Sequence, residues 1–122
     1  MGAPFVWYDI TATDDQVETI ADFYADLLGW TINPDTGPGP YHGWIADDGG
    51  PWASIIQATG ATARRWIPYI QVDDLDAAVD KATKLGARVL GEKTDGPAGT
   101  AIPVADPGGA VVALWVPFTA DT

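Results

Sequence analysis

Trp66-Ile67-Pro68-Tyr69-Ile70-Gln71-Val72-Asp73-Asp74-Leu75-Asp76-Ala77-Ala78-Val79, continuing to Leu85-Gly86-Ala87, is the stretch that decides how the whole chain is read. Residues 67–72 are rich in β-branched and aromatic types, the pattern of a strand. Asp73 or Asp74 can cap a helix in which Leu75, Ala78, Val79, Ala82 and Leu85 recur at helical spacing. Gly86 stops that helix, because glycine takes the left-handed conformation without steric cost.

Outward from this stretch the same scheme appears again. Residues 5–11 read as a strand, and Thr13 or Asp14 is a suitable cap. Val17, Ile20, Ala21, Tyr24, Leu27 and Leu28 form the next helical stripe, ended by Gly29. Strands are then predicted at 30–32, 41–46 and 52–57, with 33–40 a loop and 47–50 a hairpin turn. In the second copy the corresponding strands are 88–92, 100–105 and 110–117, with a loop at 94–99 and a turn at 106–109; the last strand is apolar enough to be buried on both faces. The chain thus reads as one α+β domain, 1–122, built from two βαβββ modules, 4–57 and 66–118, with 58–65 as linker. Paired modules would form a cupped mixed β-sheet with helices outside and aromatics inside. The pairing is open between one chain and two, and a homodimer is the expected assembly.

Composition narrows the function classes. The 122 residues carry 17 acidic against 6 basic side chains, a formal net charge of −11. Such a protein repels polyphosphate, so nucleic acid and anionic membrane are poor partners. With no cysteine, thiol chemistry and thiolate metal sites are excluded. Neither a membrane-spanning run nor a signal pattern is seen, which makes the cytoplasm the expected location. Six tryptophans are enough both to fill a core and to line a concave sheet.

Strand alternation assigns faces. Trp7, Asp9 and Thr11 share one face of the first strand, the side toward the predicted cup. His42 and Trp44 share a face of the third, with Tyr41 and Ile45 opposite. A carboxylate among aromatics, as expected of Asp9, would hold its proton more tightly through desolvation; it could act as general base or hold a cation. Tyr69 is the Asp9 equivalent in the second module. His42, the only histidine, is a ligand contact or a surface residue, and alone it cannot hold a metal. Asp73, Asp74 and Asp76 sit at a helix start, where capping explains them better than catalysis does.

Phe23-Tyr24 followed by Leu28-Gly29-Trp30, then the 69–78 run, Leu85-Gly86-Ala87 and Asp106-Pro107-Gly108-Gly109-Ala110, resemble the vicinal oxygen chelate superfamily. That family includes glyoxalase I, extradiol dioxygenases, and the fosfomycin- and bleomycin-resistance proteins. The resemblance runs over nearly the whole chain and implies the glyoxalase/bleomycin-resistance fold. It also implies where metalloenzyme members would place His, Gln or Glu ligands, on the first and last strand of each module. Counted from the capping aspartates and the Gly-Gly turns, those positions hold Trp7, Ser54, Ile67 and Ala113. Trp, Ile and Ala do not bind divalent ions and serine binds them poorly, so no metal and no cofactor are expected.

The function this implies is that of a metal-independent small-molecule-binding protein. A partly aromatic, cationic ligand would lie in a cleft lined by Trp7, Asp9, His42, Trp44, Trp52, Ser54, Tyr69 and Trp115. The alternative is a lyase or isomerase of the same superfamily with Asp9 as general base. A scaffold whose cleft is filled by its own side chains is the third possibility.

Overall fold

The structure is a computed structural model that describes residues 5–37 and 39–118. Pro4, where the first module was expected to begin, and Pro38 of the predicted loop lie outside the described residues. The described residues divide into two compact units, one of residues 7–67 and one of residues 68–118 with Phe5 and Val6.

The first unit contains β1 (Phe5–Ala12, from Trp7 on), α1 (Val17–Leu28), β2 (Thr31–Pro34), β3 (Tyr41–Asp47) and β4 (Gly50–Gln57). Its strands lie in the order β2-β3-β4-β1, antiparallel except for the parallel pair β1 and β4. The residues expected to link the modules include a single 3-10 turn, Gly60–Thr62. β5 (Arg65–Gln71) then leads to α2 (Leu75–Lys84), β6 (Arg88–Val89), β7 (Thr94–Asp95), β8 (Gly99–Ala105) and β9 (Val111–Pro117). The order here is β6-β8-β9-β5, with β7 also on β8, and again only β5 and β9 are parallel. The two units repeat one connectivity, as the sequence led us to expect.

One face of each sheet is apolar and carries the helix. In the first unit Ile10, Ile45, Ala53 and Ile55 pack with Ala21 of α1, each 6% exposed or less. Burying each isoleucine contributes roughly 1.5–3 kcal/mol. Around this core stand Tyr8, Tyr24, Trp30 and Trp52. Tyr24 stacks on Trp30 at 5.4 Å, and Trp30 meets Trp52 edge-on at 5.0 Å. In the second unit Leu75 of α2 packs on Ile102, Val104 and Leu114.

The helix ends follow their caps in three cases of four. Asp74 accepts a hydrogen bond from the Ala77 N–H at 3.0 Å, as a capping side chain should. Gly29 takes the left-handed conformation (φ 71°) that closes α1, and Gly86 (φ 103°) stands just beyond Leu85, which caps α2. The start of α1 differs from expectation. The helix begins at Val17, and the Thr13 carbonyl, not a Thr13 or Asp14 side chain, receives the N–H groups of Gln16 and Val17. The Thr13 hydroxyl donates to Asp15, and no side chain caps the start of α1.

Candidate functional site

The polar side chains meet on the face of the first unit's sheet opposite α1. β1 and β4 run parallel in a register that sets Asp9 directly beside Ser54. Asp9 is 5% exposed and Ser54 fully buried. The Ser54 hydroxyl donates a hydrogen bond to the Asp9 carboxylate. The Trp7 indole N–H in turn donates to the Ser54 oxygen at 3.2 Å. One hydroxyl therefore serves as acceptor for an indole and donor to a carboxylate, which uses its capacity in both directions. This is how a buried ionisable group is made tolerable in a sheet interior.

An aromatic frame surrounds that chain. Trp7 meets Trp44 of β3 edge-on, ring centres 6.1 Å apart. Tyr41 stacks on Trp44 at 4.7 Å with planes 22° apart. Burial raises the Tyr41 phenol above its ordinary value of 10.0, and the charges of Asp9 and Asp35 raise it further. Tyr41 is thus a neutral hydrogen-bond donor throughout the physiological range, on the same side of the sheet as the carboxylate.

Alternation along β3 assigned Tyr41 to the face opposite Trp44, and a bulge is the reason it stands on the same one. Tyr41 opposes Ile56 and Gly43 opposes Ile55, so His42 is an extra residue in the ladder. One extra residue reverses the parity of everything beyond it. The sequence signal was Gly43, a glycine inside a strand: a β-carbon there would lie 3.0 Å from the Asn33 carbonyl oxygen and from Ile32. His42 itself sits in the bulge, half-buried, its carbonyl accepting the Asp35 N–H. A second irregularity lies between Ile45, opposite Ala53, and Ala46, opposite Pro51. Trp52 is the unmatched residue there. It turns to the helix side, against Tyr8 and Trp30, and not to the face carrying Asp9.

Of the residues singled out from the sequence, Trp7, Asp9, Trp44 and Ser54 come together. Tyr69 and Trp115 belong to the second unit. Tyr69 opposes Ala113 there, just as Asp9 opposes Ser54 in the first. Trp115 lies across Gly99, where a β-carbon would come within 2.6 Å of the indole. The ladder also shifts the two first-strand positions counted from the caps. Ser54 faces Asp9, two residues on from Trp7, and Ala113 faces Tyr69, two residues on from Ile67.

A βαβββ unit repeated once, with the first and last strand of each copy side by side and parallel, defines the glyoxalase/bleomycin-resistance class of fold. The chain belongs to the glyoxalase-like domain family, whose sequence model matches residues 9–115. It is 35% identical over 116 residues to CFP32 of Mycobacterium tuberculosis and of Mycobacterium bovis, whose name marks it as a candidate glyoxylase. That match takes in 89% of this chain and 44% of the relative, so the chain spans under half the length of these proteins. Among solved structures it resembles a glyoxalase I variant of Zea mays, with TM-score 0.63 and 23% identity over 98% of this chain and 45% of that one. A superfamily member from Vibrio splendidus 12B01 gives 0.59 at 11% identity, covering 90% and 96%. Methylmalonyl-CoA epimerase of Streptomyces coelicolor gives 0.58 at 15% identity, covering 93% of each chain. These likenesses establish the fold.

Metalloenzymes of the superfamily hold an ion between the first and last strands, so the donor set here bears on that chemistry. The laddered positions offer Asp9 and Ser54 in one unit, Tyr69 and Ala113 in the other. Only one of these is a good ligand, and its carboxylate already accepts the Ser54 hydroxyl. Among the described residues no group of three or more His, Cys, Asp or Glu side chains is placed to hold a metal ion. The residues present do not fit the family's metal site. No helix among the described residues is long and apolar enough to cross a membrane.

Proposed function

We propose that this glyoxalase-like domain is a metal-independent small-molecule-binding protein, its ligand held at the Asp9 face of the first unit. The observation that carries the reading is the buried Trp7–Ser54–Asp9 chain beneath the Trp44 and Tyr41 rings. A buried carboxylate beside indole faces suits a partly aromatic ligand bearing a cationic or N–H donor group, through charge and cation–π attraction together. Tyr69 and Trp115 are proposed as ligand contacts of the second unit taken by itself, and His42 as a weaker contact in the first. No cofactor is required by this reading, and the proposed assembly is a homodimer in the cytoplasm.

A second reading is an enzyme, a lyase or isomerase with Asp9 as general base. The 35% identical relatives favour it by their name, and the neutral Tyr41 phenol near Asp9 would supply the complementary hydrogen bond.

Two measurements test these readings. Purified protein exposed to Ni, Zn, Mn or Fe ions should take up substoichiometric metal with no thermal shift; one ion per chain with strong stabilisation would overturn the metal-independent reading. Titration with tryptamine, an aromatic cation, should perturb the Trp7 and Trp44 indole N–H resonances, and Asp9→Asn should weaken that binding. An enzyme would show turnover that the same variant abolishes with little change in affinity.

A further inference from the structure

The first unit has a second concavity, on the side where α1 lies. It encloses about 500 Å³, within the range of small-molecule sites. The end of β1 forms its floor through Ile10, Thr11 and Ala12; Ile20 and Tyr24 of α1 form one wall; Arg64, Arg65 and Trp66 form the other, with Asp15 and Gln16 at the mouth.

Three observations make this concavity more than a surface groove. First, two of the six basic residues in a chain of net charge −11 line this one cleft. Second, Arg64 has φ 59° and is the only described non-glycine residue with positive φ. Glycine would sit there without steric cost, so an arginine held in this conformation points to a use for its side chain. Third, the wall is rigid. Thr11 donates its hydroxyl to the Thr62 carbonyl at 2.5 Å and accepts the Arg65 N–H at 2.9 Å, and the Arg65 Nε–H donates to the Ala61 carbonyl at 2.7 Å. Trp66, 40% exposed, is held by its indole N–H donating to the Tyr24 hydroxyl at 2.9 Å and by edge contacts with Tyr8 and Trp30. An indole fixed before the ligand arrives loses little entropy on binding.

Asp15 is the one acidic group in the lining. Its carboxyl is held below the usual carboxylate range, chiefly by the Thr13 hydroxyl bond and least by the Arg64 charge. It therefore carries its charge at the mouth, where a ligand's outer donor would meet it.

We infer that this cleft is a second ligand site, for a planar aromatic carboxylate that lays its ring on Trp66 and gives its anionic group to Arg64. The Asp9 face offers the opposite charge, so the two sites select opposite ligands and either can fail without the other. The test uses 2-naphthoate and the full chain labelled with ¹⁵N at the indoles. The Trp66 resonance, identified by its loss in Trp66→Phe, should shift on titration, while those of Trp7 and Trp44 stay in place. Arg64→Gly should weaken binding roughly tenfold or more, the loss expected for a charge-assisted contact. The same variant should melt no lower than the parent, because glycine relieves the backbone. An unmoved Trp66 resonance overturns the assignment. So does parental affinity in Arg64→Gly, equal affinity for neutral 2-methylnaphthalene, or a loss of binding accompanied by a fall in Tm.

Discussion

Ser54→Ala isolates the polar chain on which the Asp9 face depends. The substitution removes one oxygen from a fully buried position and leaves the carbon framework in place. Packing is scarcely altered, so the cost is electrostatic. A hydrogen bond to a charged group contributes about 1.5–3 kcal/mol, and Asp9 would lose one while staying buried. The half-buried Trp7 N–H would also lose its acceptor, worth about 1 kcal/mol more. Together these amount to roughly 3 kcal/mol, a large share of the 5–15 kcal/mol by which a typical domain is stable. For a chain of this size that corresponds to a fall in Tm of about 10 °C. Urea unfolding followed by tryptophan emission, with calorimetry on the same samples, measures it directly. A double-mutant cycle with Asp9→Asn should return an interaction energy of at least ~1 kcal/mol, because the two groups share one bond. If Ser54→Ala lies within about 0.5 kcal/mol of the parent, or the two substitutions simply add, then the serine does not support a buried charge and the argument for the site fails.

Three further outcomes are expected. Tyr41 keeps its proton above pH 10.0 in the folded state while the unfolded chain loses it, so the native state binds more protons there and stability falls as pH rises beyond that point. Tyr41→Phe should lack this component and give a flatter alkaline stability profile. Asp74→Ala removes the capping bond to Ala77 and should cost about 1 kcal/mol in denaturant unfolding, whereas Asp74→Asn should cost almost nothing. Gly99→Ala drives a β-carbon into the Val116 carbonyl oxygen and to 2.6 Å from the Trp115 ring, and should destabilise by about 3 kcal/mol or leave the chain insoluble; parental thermal stability would mean that β8 and β9 are not so closely apposed.

Local physics made much of the fold legible. The Asp74 cap, the Gly29 stop and the α1 helix are each set by a few neighbouring residues and stand where the sequence placed them, although Leu27 and Leu28 at the end of its apolar stripe are exposed. The duplication of order was legible for the same reason, because two weak patterns in one sequence support each other. Errors came where an element depends on partners. The Thr13 side chain found Asp15 in place of the helix N–H groups. Strand 88–92 shrank to two paired residues because β8 is shared between β6 and β7. Tyr41 was assigned to the wrong face, and Trp52 to a cleft it turns away from, because a period of two carries no mark of where a bulge intervenes. At the site, Asp9 was readable as a carboxylate amid aromatics. Its pairing with Ser54 was not, since register across β1 and β4 is a long-range property.

The aromatic cluster beneath α1 has an optical consequence. Trp30 lies 5.0 Å from Trp52 and 6.1 Å from Trp66, with Tyr24 and Tyr8 between them and around them. Rings that close couple their transition dipoles, so their excitations are shared and add rotatory strength near the wavelengths used to count helix. Dichroism of this protein will therefore misstate its helical fraction while reporting sensitively on whether the cluster is assembled, and loss of the exciton bands should mark the moment the first unit's core comes apart.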